Sequence, residues 1–160
     1  MSEFSAIIPT PIGNVGVVIY HNKLSFIKTL VESFKLISPQ NVCAKQVVAQ
    51  LNEYFFHDPK HYFDLPIYLT GTELQKKTWL SLNTIMPGST ITYSELAKQM
   101  DTHPRAIGNT CRHNPIPIIL PCHRVIAKNS LGGYCGKTSG KYLTIKQWLL
   151  EHEKTKAKSI

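Results

Sequence analysis

Prolines cut this chain into short elements, and their positions decide which of those elements can be helical. A proline inside a helix removes a backbone donor and clashes with the preceding turn, so each one marks a boundary. Pro59 and Pro66 make residues 57–71, HDPKHYFDLPIYLTG, an extended connection. Pro87, followed by Gly88, ends the helical pattern of GTELQKKTWLSLNTI. Pro104 falls where a helix tolerates it, in a first turn whose N–H groups have no intrahelical acceptor. Asn114-Pro115 stops the helix that Pro104 opens, and Pro117 and Pro121 bracket the apolar run IIL at 118–120. No apolar run approaches the ~20 residues of a membrane span.

Between these boundaries the periodicity changes along the chain. AIIPT (6–10), GVVIY (16–20) and LSFIKTL (24–30) read as strands, with His21-Asn22-Lys23 as a hairpin turn. AKQVVAQLNEYFF (44–56) places Val47, Val48, Leu51, Tyr54 and Phe55 on one helical face. After the extended connection the signals are helical. Leu74, Thr78, Leu82 and Ile85 recur at helical spacing, and Thr92 with Glu95 forms a capping box ahead of SELAKQM. Asp101-Thr102-His103 then turns the chain into PRAIGNTCRH. Two short helices joined by a tight turn, with arginines on the second, form a helix-turn-helix pattern. The last helix, TIKQWLLEHEK, is expected to bury Ile145, Trp148, Leu149 and His152. The expectation is an α+β fold: an α/β domain over residues 1–70 and a mostly helical one over 71–160.

With 160 residues and 42% apolar content the chain can bury a core, and its net charge of +8 narrows its partners. Lys98, Arg105, Arg112, Arg124, Lys128, Lys137, Lys141 and Lys146 concentrate that charge in the second half, as a polyanion-binding surface requires. Cys43, Cys111, Cys122 and Cys135 include no CxxC pair, and the histidines show no zinc-binding spacing, so neither disulfide nor metal is expected. The N-terminal MSEFSAIIPTPIG lacks a signal peptide's basic flank and apolar stretch, so a cytoplasmic protein is expected.

The chemistry concentrates in IPIILPCHRVIAKN, residues 116–129. A thiol attacks as its thiolate, a minor species at neutral pH for a free pKa of about 8.5, and basic neighbours such as His123 and Arg124 favour it. Adjacent side chains on a helix do not face one another, so His123 would reach Cys122 through a bridging water. A histidine acting as base also needs an acceptor on its other nitrogen, which a carboxylate of the last helix can supply. A cysteine hydrolase would instead need its histidine opposite the thiol and an oxyanion hole.

NPIPIILPCHRVI resembles the active-site signature of the O6-alkylguanine–DNA alkyltransferases, the methylated-DNA–protein-cysteine methyltransferases. LNEYFF, FDLPIYLTGTELQKKTW, ITYSELA, RAIGN, LGGYCG and KQWLLEHE resemble further blocks of that family, in its order, over roughly residues 45–153. The resemblance implies a ribonuclease H-like N-terminal domain and a winged-helix-like C-terminal one carrying the helix-turn-helix. It implies a single-use repair reaction that moves an alkyl group from O6 of guanine in DNA to Cys122. His123 would deprotonate Cys122 through water, Glu153 would hold His123, Asn114 would shape the cysteine's turn, and Tyr93 would donate to the purine. Arg105 would fill the gap left by a flipped nucleotide, with Thr92, Ser94, Arg112, Arg124 and Lys128 also on the DNA. Tyr134, Cys135 and Gly136 would form the loop over the base. Alkylated double-stranded DNA is the implied partner of a monomer that needs no cofactor or metal, in the cytoplasm or in a eukaryote's nucleus. Cys135 stands where the family often has serine or another small residue. An alkyltransferase-like lesion binder without chemistry would lack the acceptor that Cys122 provides.

Overall fold

The computed structural model describes residues 3–30, 32, 34–135 and 140–155. They are mixed α+β and divide into two compact units, one ending at Leu69 and the other spanning Thr70–Lys154.

In the first unit β1 (Ala6–Thr10), β2 (Gly13–Tyr20) and β3 (Lys23–Leu30) form an antiparallel sheet in the order β1-β2-β3. Tyr20 pairs with Lys23 across a two-residue turn in which His21 and Asn22 have φ of 51° and 60°. Positive φ at both central positions matches the right-handed twist of the strands that the turn joins. α1 (Val42–Phe56) packs on all three strands and buries Cys43, Ala44, Val47, Leu51, Tyr54 and Phe55. Val48, expected on that face, is only half-buried. Asn41 caps the helix, its side chain accepting from the Ala44 N–H at 2.7 Å. Single bridges, Ile7 to Ile37 and Leu24 to Ile67, tie extended chain to the outer strands.

The second unit opens with α2 (Glu73–Ser81), whose N-terminus carries a reciprocal capping box between Thr72 and Gln75. The helix tightens into a 3-10 turn at Leu82–Thr84, short of the end expected from its apolar spacing. Buried Trp79 donates from Nε1 to the Thr110 carbonyl at 2.9 Å and so ties α2 to α4 (Pro104–Arg112). α3 (Tyr93–Gln99) precedes α4 across a turn in which Asp101 has φ 54°, and Pro104 takes the first helical position. Thr92 caps α3 by accepting from the Glu95 N–H, but Glu95 takes the Thr92 hydroxyl rather than its backbone N–H. The Thr92 backbone belongs instead to β4 (Ile91–Thr92), which pairs in parallel with β5 (Val125–Ile126). This two-stranded sheet is not expected from sequence, because strands of two residues show no alternation. It sets the start of α3 beside the segment that carries Cys122.

α5 (Lys141–Glu153) corrects the expected buried stripe. Its buried residues are Ile145, Lys146, Leu149, Leu150 and Glu153, while Trp148 and His152 are half-buried and stack on each other at 4.5 Å. The face toward the core therefore carries two charged residues, and both lead to the site. Among the described residues no helix is long and apolar enough to cross a membrane.

Candidate active site

Cys122 opens a 3-10 turn, Cys122–Arg124, at the end of an apolar loop that one side chain organises. Asn114 accepts from the Ile116 N–H at 2.9 Å and donates through Nδ2 to the Leu120 carbonyl at 2.7 Å. The Leu120 N–H bonds the Ile116 carbonyl, and the Cys122 N–H bonds that of Leu120. This tight path forces buried Ile118 to φ 77°, a costly conformation for a β-branched residue and one that strained functional turns keep.

Beyond the thiol the turn reverses two long polar side chains into the core. His123 and Glu153 have no exposed surface, and His123 Nε2 lies 2.7 Å from Glu153 Oε2. Arg124 donates from Nε to Oε1 at 2.8 Å, from Nη2 to Oε2 at 3.1 Å, and from Nη1 to the Ile85 carbonyl at 2.7 Å. The expectation that Arg124 contacts DNA is thereby corrected: its guanidinium is 6% exposed and its hydrogen bonds are committed inside the protein. Burial alone would raise the Glu153 carboxyl, but the hydrogen bond from His123, then the bonds and charge of Arg124, hold it well below the ordinary range. The carboxylate is therefore an acceptor, which puts the His123 proton on Nε2 and leaves Nδ1 a lone pair. Nδ1 is buried with no hydrogen-bond partner among the described residues. Burial lowers His123 most strongly, against the bond and charge of Glu153, so the ring is neutral.

The thiol, in turn, is not the pre-formed thiolate that its basic neighbours suggest. Burial raises Cys122 above the ordinary range, with the Asn114 side-chain bond and the Lys146 charge opposing. It ionises only as a base takes its proton.

Cys122 lines a cavity of about 420 Å³ together with Tyr93, Cys111, Gly133, Tyr134 and Cys135. α4 supplies the rest of the wall through Arg105, Gly108, Asn109 and Arg112, so an exposed basic helix borders the thiol's cavity. The Tyr93 hydroxyl takes a backbone hydrogen bond from Gly133, and burial, with Cys111 and Cys122 nearby, raises it to about 12. Tyr93 is thus a phenol able to donate. Gly132 makes this fit possible, with φ 74° and a Cβ position only 2.9 Å from Tyr93 Cε2.

Among the other sequence candidates, Thr92 is half-buried at the start of α3, while Ser94 and Lys128 are exposed but do not line the cavity. Tyr134 is buried and Cys135 exposed; Gly136 lies outside the described residues, as does Lys137. Two residues of the site escape the sequence reading. Cys111, given no role there, lines the cavity. Lys146, counted there as surface charge, is fully buried, with Nζ 2.7 Å from the Val125 carbonyl and 2.9 Å from that of Gly133. A signal for Lys146 exists, since 146, 149, 150 and 153 follow the i, i+3, i+4, i+7 spacing of one helix face. Among the described residues no group of His, Cys, Asp or Glu could hold a metal ion.

Residues 73–155 match the family model described as 6-O-methylguanine DNA methyltransferase, DNA binding domain. A probable methylated-DNA–protein-cysteine methyltransferase of Acanthamoeba polyphaga mimivirus is 36% identical over 151 residues, covering 92% of this chain and 95% of the relative. The crystal structure of Mycobacterium tuberculosis OGT in complex with DNA superposes with a TM-score of 0.75 at 34% identity, covering 92% of this chain and 91% of that one. An O6-methylguanine DNA methyltransferase from Methanococcus jannaschii gives a TM-score of 0.67 at 31% identity, over 96% of each chain.

Proposed function

Since the chain belongs to the methylated-DNA–protein-cysteine methyltransferase family, we propose that Cys122 is the alkyl acceptor through which it works, its sulfur taking an alkyl group from O6 of guanine. The activity is DNA repair by direct alkyl transfer. The observation that carries the site assignment is a buried thiol opening on a cavity beside a neutral, carboxylate-held histidine.

The transfer forms a sulfur–carbon bond and breaks the carbon–O6 bond. His123 takes the thiol proton at Nδ1 through one water, and the imidazolium so formed is stabilised by Glu153. Tyr93 donates to the purine as O6 gains negative charge, which lowers the barrier where charge develops. The proton lost by the thiol equals the one guanine gains, so both products end neutral. The thioether is stable and the site holds no group able to remove it, so each molecule acts once. Arg105 and Arg112, on the exposed side of α4, fit a backbone- or gap-contacting role on duplex DNA, with Thr92, Ser94 and Lys128 flanking. Reaching the cavity requires the damaged nucleotide to leave the stack, and Arg105 would fill its place. Tyr134 and Cys135 would cover the base. The finer architecture we assign is ribonuclease H-like for the first unit and winged-helix-like for the second, in a protein that acts as a monomer.

The test is to incubate the protein with a duplex oligonucleotide carrying O6-methylguanine and to map the mass gain by peptide. One methyl per molecule on the Cys122 peptide is expected, and none in Cys122→Ser. Methyl on Cys111 or Cys135, which line the same cavity, would reassign the acceptor. Repeated turnover would overturn single use.

A further inference from the structure

We propose that Arg124 is a positioning residue for the transfer: by occupying both oxygens of Glu153 it lets that carboxylate orient His123 without charging it, so that Nδ1 keeps a free lone pair.

The geometry poses a conflict that Arg124 resolves. A carboxylate 2.7 Å from a buried imidazole is the arrangement that favours imidazolium, because an opposite charge stabilises the charged form. An imidazolium carries a proton on each nitrogen and cannot accept another. The orientation that Glu153 provides would thus disable the base it orients. Arg124 enters the same contact, sharing Oε2 with His123 and also holding Oε1. Its charge cancels that of the carboxylate, while its third bond, to the Ile85 carbonyl, fixes the guanidinium plane. With the pair neutral in sum, the buried ring has no net charge to answer and stays neutral until the thiol proton arrives.

The groups around His123 are few. Cys122 and Arg124 lie on its own turn, and Glu153 and Lys146 come from α5. Tyr93 of α3 and Cys111 of α4 feel Cys122 rather than His123. Burial is the largest influence on His123 and lowers it; Glu153 raises it, and Arg124 and Lys146 both lower it. Removing Arg124 takes away a cation in direct contact with the carboxylate, so His123 must move toward the charged form.

The experiment uses the full chain with nitrogen-15 histidine, following the His123 imidazole between about pH 4 and 8 by NMR. Wild type is expected to remain neutral with its proton on Nε2 at neutral pH. In Arg124→Met the titration midpoint should rise by about one unit or more, and transfer should slow as pH falls through that raised midpoint and recover above it. Arg124→Met combined with Glu153→Gln removes both charges and should bring the midpoint back down. Only the kinetic arm rests on Cys122 being the acceptor; the titrations do not, so the two readings can fail separately. A His123 midpoint unmoved in Arg124→Met, with transfer slowed equally at every pH, would reduce Arg124 to a structural strut. Should Arg124→Met not fold, Arg124→Lys decides: it keeps the charge and loses the fork, so slower transfer with an unshifted midpoint is expected. A midpoint raised there by a unit would overturn the charge argument.

Discussion

Lys146 and Gly133 are joined by a 2.9 Å hydrogen bond from a fully buried ammonium to a backbone carbonyl. The same ammonium holds the Val125 carbonyl at 2.7 Å and lies 5.8 Å from the centre of the Tyr93 ring. One side chain of α5 therefore braces β5, the glycine turn before Tyr134 and the phenol of the cavity. Replacing it by methionine keeps much of the volume and leaves two carbonyls unpaired, each costing about 1–3 kcal/mol when buried. Lys146→Met is expected to lower the urea midpoint and to slow alkyl transfer even under conditions where it is folded. Arginine should not restore transfer, since a planar fork cannot replace a point donor between two carbonyls in a closed space.

That ammonium also sets an alkaline signature. Burial takes Lys146 from 10.5 down to about 8, the nearby thiols opposing. Between those two values the unfolded chain binds the Lys146 proton and the folded one does not, so this group's contribution rises with pH, while the thiols of Cys111, Cys122 and Cys135, raised by burial, contribute a fall over the same range. Denaturant titrations at several pH values should show stability falling more steeply with rising pH in Lys146→Met than in wild type.

Glu153 sets the opposite limit. Its carboxyl is held at about 2 against an ordinary 4.5, so its stabilisation is complete above the unfolded value and is lost as pH falls toward the folded one. His123, lowered by burial, adds loss of the same sign, because it must be charged as acid is added. Acid unfolding followed by circular dichroism should show a steep fall in stability below about pH 4.5 as Glu153 is protonated. Glu153→Gln should be less stable at neutral pH and show a shallower acid limb.

How much of this was legible in sequence depended on how local its cause is. β1 to β3 and the His21-Asn22 turn are local, and alternation and turn chemistry announce them. α3 and α4 announce themselves by the Thr92 cap and by Pro104. The adjacency of Cys122 and His123 is likewise written in the chain. Arg124 was not legible as a buried group, and Lys146 only through its place on the helix face of Leu149, Leu150 and Glu153, because a charge is tolerated in a core only through partners brought from elsewhere. Arg124 finds Glu153 29 residues away, and Lys146 finds the Val125 carbonyl 21 residues away. Apolar spacing alone puts charges outside, and a basic residue in a basic half-chain reads as surface.

Gly132 offers a test of how tightly the cavity is built. Its φ of 74° already disfavours any side chain, and a Cβ there would meet Tyr93 Cε2 at 2.9 Å, its hydroxyl at 3.1 Å and the Ala127 nitrogen at 3.3 Å. Gly132→Ala must displace the phenol or the turn. Its folding stability should fall by about 1 kcal/mol or more from backbone strain. Transfer should fall further than stability explains if the phenol donates to the purine as we propose. Gly108→Ala is the control: nothing lies within 4 Å of its Cβ position, and its helical placement should make the change mildly stabilising.

Arg105 separates access from chemistry. It sits exposed in the first turn of α4, on the rim of the cavity, and makes no hydrogen bond or ion pair that would hold the fold together among those found in the described residues. If it fills the space of a nucleotide drawn out of the duplex, it matters only where there is a stack to leave. Arg105→Ala should therefore slow repair of O6-methylguanine in duplex DNA by about tenfold or more, the equivalent of about 1.4 kcal/mol at the barrier. Reaction with free O6-benzylguanine, which has no stack to leave, should change little. The exposed charges of α4 should also make duplex affinity fall steeply with salt, with a shallower slope in Arg112→Ala as one phosphate contact is lost. Equal losses on duplex and free base in Arg105→Ala would place that arginine with the chemistry rather than with access, and would leave the opening of the duplex to another residue of α4.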